Sequence, residues 1–420
     1  MGISDLMIED WERGWHGSDK SICVQCIPDY YLRDVVAPAV EDELECSFCG
    51  TAPAAAFDVF TEAFMVGVRN TFEQADNAGM PWEGGYVFET YLHCDLPEMF
   101  DWEIETGHEA DVLDELRTCL EEKTYASRWW AETEPDEAYS SAWKEFREQI
   151  LHRTRFVFWA RKDTSEPYGG GEVSVAKVLE AIGRLLVAFD LITTLPAGTV
   201  TYRARGHMRQ EDSQGWAAAQ LGTNLPENAT SSSRMSPAGI PLFYGADDVE
   251  TALVEVARAD DREFFTVGKF VTTEPVNVID LTHVPSVPSV FDPELGGYQG
   301  QLRFLNELVD ELRKPIDTVR SNLDYVPTQV FCEYFLHVFD PDADADEDAK
   351  TETGVEAKTK VGGLVWRSSA ARGGSGCLAL NVPQEDCVDV VGTTAGPMQL
   401  HLVPGSITVH RRRTDEFREL

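Results

Sequence analysis

Four cysteines stand as two close pairs, Cys23 with Cys26 and Cys46 with Cys49, with 19 residues between the pairs. Thiolates at this spacing can wrap a tetrahedral ion, and the gap lies in the range of structural zinc sites. Four protein ligands leave no position for water, so such an ion would fold a small module rather than catalyse. Oxidised or free thiols are the alternative, although a reducing compartment argues against two disulfides. A second set of chemically active residues is cationic. Arg203, Arg205, Arg209 and Arg234 fall within 32 residues of a chain whose formal charge is −38, the local positive excess that a phosphate-binding pocket requires. Thr199 to Arg205 alternates as a strand does and places Thr201, Arg203 and Arg205 on one face. Two guanidinium groups on one face call for anions, either a diphosphate or a surface ladder of carboxylates. Between Ser233 and Val256 the pattern reads as a turn, a short strand ending near Tyr244, and a helix capped by Asp247 or Asp248. Glu255 lies beside the apolar positions Ala252 and Val256, where a carboxylate needs a partner or a purpose. An ordinary solvent-facing Glu at a helix edge is the plainer alternative.

The chain of 420 residues can hold two or three domains. A surface this acidic repels polyanions, so general nucleic-acid binding through a basic face is not expected. No apolar run is long enough to cross a membrane, since Val187 to Leu195 is short and carries Asp190. Residues 1–15 lack a basic region followed by an apolar run, so no secretory signal is expected and the expected location is the cytoplasm. The other five cysteines, Cys94, Cys119, Cys332, Cys377 and Cys387, stand mostly beside apolar residues and read as buried thiols.

The elements that must position these residues change character along the chain. From about Phe57 to Leu195 the period is helical, with Phe57, Phe60, Phe64, Met65 and Val68 on one stripe and Val112, Leu113, Leu116 and Leu120 on another. A third segment, starting near Ala138, carries Trp143, Phe146, Ile150 and Leu151, and a fourth runs from Ser174 to Asp190. Beyond Gly198 strands alternate with helices. Phe264 to Val271, Asn277 to Thr282, Gly362 to Arg367 and Cys377 to Leu380 read as strands, Leu302 to Leu312 as a helix, and Thr328 as the start of another. The run of alternating carboxylates from Asp340 lacks the central Gly and terminal Glu of a calcium loop and reads as a solvated insertion.

Four separated segments, Thr201–Arg205, Ser233–Val256, Asp324–Gln329 and Gly362–Ser369, together resemble the RES-domain family, named for an Arg, a Glu and a Ser that recur in this order. The resemblance covers about 199–382 and implies an NAD-consuming enzyme with a fold similar to ADP-ribosyltransferases. It implies Arg203, Tyr244, Glu255 and Ser368 as catalytic residues; Arg205 and Arg234, from the local positive charge, are expected to help hold the diphosphate, and Ser369 is a further NAD-binding candidate. The family commonly has Pro before its Ser, whereas Trp366 and Arg367 precede it here, so Ser369 stands as an alternative to Ser368. NAD is then the substrate, water or inorganic phosphate the acceptor, and an antitoxin or regulatory protein a partner. The order of cysteine module, helical region and RES motifs resembles chains in which a HEPN-type domain precedes a RES domain. The expected fold class is therefore α+β: a four-cysteine zinc module at 1–55, a helical HEPN-like domain at 56–197, and a mixed α/β RES domain at 198–400. An acidic insertion is expected at 340–360 and a tail at 401–420. HEPN domains often cleave RNA with an Arg and a His about a turn further on, and Arg147 with His152 fits that spacing. Residues five apart do not share a clean helix face, and the surroundings from Glu132 to Glu148 are acidic. A ribonuclease, or a silent nucleotide-binding sensor, is the alternative function.

Overall fold

The computed structural model describes residues 11–100, 107–158, 173–258, 260–314, 321–342, 360–369, 375–394, 396, 398–413 and 416–419. These fall into two units. The first holds the described residues up to Ala138 together with Ser286–Arg303, and the second holds those from Tyr139 onward outside that insertion.

In the first unit, β1 (Ser21–Ile22), α1 (Tyr30–Val36) and β2 (Ala55–Ala56) precede α2 (Phe57–Thr71), and β1 pairs antiparallel with β2. Asp29 caps α1 by accepting from the Leu32 amide at 3.0 Å. The expected stripe on α2 is inward: Phe57, Phe60, Phe64, Met65 and Val68 are buried, each Phe worth roughly 1.5–3 kcal/mol of burial. Ile22, Ile27, Leu32 and Val36 pack into the same cluster, so the cysteine-bearing segment shares a core with α2 instead of standing apart at 1–55. The inserted loop adds Phe291, whose ring lies 6.1 Å from that of Phe64, while Asn70 donates to the carbonyls of Val290 and Asp292 at 2.7 and 2.9 Å. A Cβ at Gly67 would come within 2.3 Å of the Phe291 ring, which explains a glycine in the middle of a helix. The strands β3 (Phe72–Gln74), β4 (Tyr91–Leu92) and β5 (Thr124–Ser127) form a small sheet in the order β3-β5-β4, with α3 (Glu109–Cys119) between β4 and β5 in the chain. Next along the chain, α4 (Pro135–His152) buries Trp143, Phe146 and Ile150.

The second unit is sheet-rich. After α5 (Val178–Ala188) come β6 (Ile192–Leu195), β7 (Val200–His207), β8 (Phe243–Ala246), α6 (Val249–Ala257), β9 (Phe264–Thr272) and β10 (Val276–Asp280). Then follow α7 (Gln299–Arg313), α8 (Val326–His337), β11 (Val361–Arg367), β12 (Gly376–Leu380), β13 (Cys387–Val388), β14 (Leu400–Leu402), β15 (Thr408–Arg413) and β16 (Glu416–Glu419). One 11-stranded sheet runs in the order β13-β14-β9-β7-β8-β12-β11-β10-β6, with β15 and β16 joined at β9. Only the β10–β11 and β13–β14 pairs are parallel among the described strands. Phe243, Phe270, Val278, Leu378 and Leu380 fill one core against it, and α8 packs on β11.

Boundaries differ from expectation in physically simple ways. Pro327 occupies the first turn of α8, where its missing N–H is harmless, so that helix begins at Val326 and not at Thr328. The helix expected from Ser174 begins at Val178, after a turn. Residues read as a C-terminal tail are part of the sheet: β14 covers Phe270–Thr272, and β15 pairs Thr408 with Val267 and Arg411 with Phe264. The nine residues of β9 would otherwise leave an open edge along their first half. The calcium-like carboxylate run from Asp340 lies mostly outside the described residues. Among the described residues, no helix is long and apolar enough to cross a membrane.

Candidate functional site: half-buried arginines and a Glu–Ser pair

Strand β7 lies in mid-sheet, paired along its whole length with β9. Its Arg203 reaches toward β8, donates from Nη1 to the Tyr244 carbonyl at 2.9 Å, and places its guanidinium 4.9 Å from the Phe243 ring centroid. The Nε is buried with no hydrogen-bond partner. Burial, and next the Arg205 charge, pull the Arg203 pKa down to about 10. Arg205, two residues on, donates to Asn224 Oδ1 and, at 3.4 Å, to the Gly222 carbonyl. Burial and then Arg262 lower its pKa as well. The neighbouring strand leaves no room for anything larger than glycine at 245, where a Cβ would lie 2.1 Å from Thr201 Oγ1.

Tyr244 does not sit at a strand end; it lies within β8 and anchors the turn before it. Its hydroxyl accepts from the Met235 amide at 3.2 Å and meets Ser236 Oγ at 3.0 Å, and burial pushes its phenol well above the ordinary range. Gln329 on α8 donates to the carbonyls of Ser233 and Ser236 at 2.8 and 3.4 Å, and Thr328 donates to the Arg234 carbonyl. The turn so fixed carries Arg234, which donates at 2.5 Å to the Leu312 carbonyl at the end of α7 and lies 5.8 Å from the Tyr325 ring. Burial lowers the Arg234 pKa against the opposing pull of Tyr325 and Glu255.

Glu255 is not an idle helix-edge carboxylate. Helix α6 is capped by Asp248, which accepts from the Thr251 amide and hydroxyl, each at 2.8 Å. Burial opposes ionisation of Asp248, but the bonds from Thr251 more than offset it and hold the pKa below the usual value. Asp247, the other cap candidate, accepts instead from the Gly376 amide at 2.7 Å. Two turns along, half-buried Glu255 accepts a hydrogen bond from Ser368 Oγ. Ser368 follows β11, is 3% exposed, and donates its amide to the Ser375 carbonyl at 2.9 Å. Ser369 points elsewhere: it is exposed and accepts from Arg258 at 3.0 Å.

Arg203 is thus bonded to the Tyr244 carbonyl, the Tyr244 hydroxyl to the turn that carries Arg234, and Ser368 to Glu255, while Ser369 is bonded to Arg258 instead. Asn224 and Arg258 escaped sequence reading, because one lies in a loop without a motif and the other only three residues past Glu255. Gln329 and Thr328 stood inside a recognised segment, but only the fold shows what they hold.

The four paired cysteines converge in the first unit. Their Sγ atoms all lie within 4.8 Å of one another, with Cys23–Cys49 at 3.5 Å and Cys26–Cys46 at 3.9 Å. A tetrahedral zinc with bonds of about 2.3 Å has sulfur–sulfur edges of about 3.8 Å, so the donor set fits. The Gly50 amide donates to the Cys46 carbonyl at 2.8 Å with φ at 74°, a conformation natural to glycine, and the Cys49 sulfur lies 3.0 Å from Thr51 Oγ1. Cys119, Cys332, Cys377 and Cys387 are buried and Cys94 is half-buried.

Arg147 and His152 both lie on α4. Arg147 forms an ion pair with Glu311 on α7 at 2.5 Å, and His152 is exposed as the last residue of α4.

Half-buried arginines, a Glu255–Ser368 hydrogen bond and a mainly antiparallel sheet belong to a mixed α+β protein whose N-terminal region is helical. The family model described as RES domain matches residues 201–401, and the one described as HEPN/RES N-terminal domain 1 matches 39–164. The chain is thus a RES-domain protein with a HEPN/RES N-terminal domain, and RES-domain proteins are generally enzymes that act on NAD. No curated protein matches the chain.

Proposed function

We propose that this protein degrades NAD by breaking the bond between nicotinamide and ribose. The observation that carries the reading is the trio Arg203, Arg205 and Arg234, whose guanidinium groups are all lowered in pKa by burial and of which Arg203 has an unpaired Nε. Buried charge costs several kcal/mol unless matched. A diphosphate supplies two charges and oxygens suited to bidentate bonding, so it turns this cost into affinity. The same reading assigns the RES domain the fold of ADP-ribosyltransferases and the four cysteines a structural zinc.

In the reaction, Arg203, Arg205 and Arg234 hold the diphosphate and the Tyr244 ring borders the nicotinamide side, its hydroxyl already being committed to the Met235–Ser236 turn. The glycosidic electron pair passes to the pyridinium nitrogen, so nicotinamide leaves neutral and needs no general acid. Positive charge then develops on the ribose, and Glu255 is placed to stabilise it and to accept from the ribose hydroxyls. Ser368 fixes the carboxylate by donating to it. An oxygen of water or of inorganic phosphate forms the new bond to the ribose carbon, giving ADP-ribose with release of a proton, or ADP-ribose phosphate. Ser369, held by Arg258, lies outside this set. Such depletion of NAD suits a cytoplasmic toxin or defence effector restrained by an antitoxin.

The reading is tested by incubating the purified chain with NAD, with and without phosphate, and identifying products by mass. Free nicotinamide with either ribosyl product is expected; intact NAD under both conditions contradicts it. The ribonuclease alternative is not favoured, since Arg147 is engaged by Glu311.

A further inference from the structure

Three consecutive residues at the end of α7 each hold a different part of the second unit. Glu311 accepts from Trp143 Nε1 at 3.1 Å and pairs with Arg147 at 2.5 Å, both on α4. The Leu312 carbonyl accepts from Arg234 at 2.5 Å. Arg313 donates from Nε to the Arg367 carbonyl at 3.2 Å, one residue before Ser368. Helix-end carbonyls have no partner within the helix, so the Leu312 carbonyl is free to hold a guanidinium, and its position depends on whether the last turn stays wound. The last turn is held by the buried side chains of Leu308, Val309 and Leu312 and, on its outer side, by the contacts of Glu311 with Trp143 and Arg147. The Glu311 side chain is 28% exposed and that of Arg147 41%, while Arg147 Nε is enclosed without a partner. The arginine is thus partly drawn into protein for the sake of this contact.

We propose that Arg147 is a positioning residue for the dinucleotide site, acting through Glu311 to fix the final turn of α7 and thereby Arg234 and the Arg367–Ser368 segment. The inference rests on the proposed role of Arg234 and Ser368 in holding NAD. The residue that fits a ribonuclease spacing thereby acquires a different role, since through it the last part of the segment matched as HEPN/RES N-terminal domain 1 reports on the RES site. Anything that draws Arg147 away from Glu311 would loosen the grip on the diphosphate without touching it.

The test uses the full chain as wild type, Arg147→Ala, Arg147→Lys and, as a control, Arg303→Gln. The control breaks another ion pair between α4 and α7, Arg303 with Asp136, far in sequence from the final turn. Hydrogen exchange is read in peptides spanning 231–237 and 364–369, and NAD affinity is measured by calorimetry for each protein and for Arg147→Ala combined with Arg234→Ala. Exchange in both peptides is expected to rise severalfold in Arg147→Ala, and to stay near wild type in Arg147→Lys and Arg303→Gln. NAD affinity should fall about threefold or more in Arg147→Ala, with little further loss when Arg147→Ala is added to Arg234→Ala, because two changes acting through one contact are not additive. Unchanged exchange in 231–237 overturns the proposal, as does an affinity loss that adds in full to that of Arg234→Ala. Raised exchange in a chain whose wild type does not bind NAD leaves the positioning intact and removes the NAD reading instead.

Discussion

The two clusters of this chain, the cysteines of the first unit and the arginines of the second, both gather groups that repel one another once charged, yet they are built in opposite ways. The cysteines come from two short knuckles within one stretch of chain, with β1 and β2 pinned beside them. Their four sulfurs lie within 4.8 Å of one another and could hold an ion. The arginines come from a strand and a turn, and are steadied by the ends of two further helices. Arg203 spends one bond on a carbonyl and rests on an aromatic face, and its Nε remains unpaired. A cluster made locally serves the fold around it. One assembled from remote segments, and left electrostatically unfinished, is held in place by a fold that the rest of the chain stabilises, which is the condition for binding a ligand that comes and goes.

The sharpest way to break this contrast is to remove the group that only chemistry needs. Glu255→Gln keeps the size and the bond from Ser368 but loses the charge, and NAD turnover should fall by about a hundredfold or more with the melting temperature little changed; undiminished turnover would take Glu255 out of the mechanism. Next is the arginine cluster itself. Arg203→Met removes a half-buried cation whose enclosed Nε has no hydrogen-bond partner, so the unliganded protein should keep or gain stability, while NAD ceases to raise its melting temperature in thermal scans. For the cysteines the reverse is expected. Cys46→Ser, or a strong chelator, should release zinc measurable by atomic absorption and destabilise the first unit by about 3 kcal/mol or more, because the cluster shares its core with α2. A smaller effect separates the two serines: Ser368→Ala should slow turnover about tenfold and Ser369→Ala less than about twofold, since only Ser368 reaches Glu255.

The smallest effect concerns the cap of α6. The folded-state pKa of Asp248 is depressed, so its contribution is present above its unfolded value of about 4 and is lost as pH falls through the lower folded value. Asp248→Ala should cost about 1 kcal/mol at neutral pH and flatten the acid limb of the stability curve in denaturant titrations.

Much of this was legible in the residues because it is local. The cysteine spacing, the Phe57–Val68 stripe and the alternation at Thr199–Arg205 each depend on neighbours within a few positions, and each recurs in the structure. The cap was legible as a choice between two aspartates, and only the approach of the Gly376 amide to Asp247 decides it. What was not legible depends on distance in sequence. The bond of Ser368 to Glu255 spans 113 positions. The pairing of the expected tail with β9 and the joining of the cysteine segment to the core of α2 are likewise decided by which surfaces need covering. Arg147 shows the hazard most plainly: its spacing to His152 suggested a pair, but the carboxylate it meets lies on α7.

If Arg203, Arg205 and Arg234 bind the dinucleotide that Glu255 then helps to cleave, calorimetric titration of NAD into Glu255→Gln registers that binding without turnover. Binding at one site per chain is expected, abolished when Arg203→Met is added. Equal binding in the presence and absence of Arg203 would contradict it.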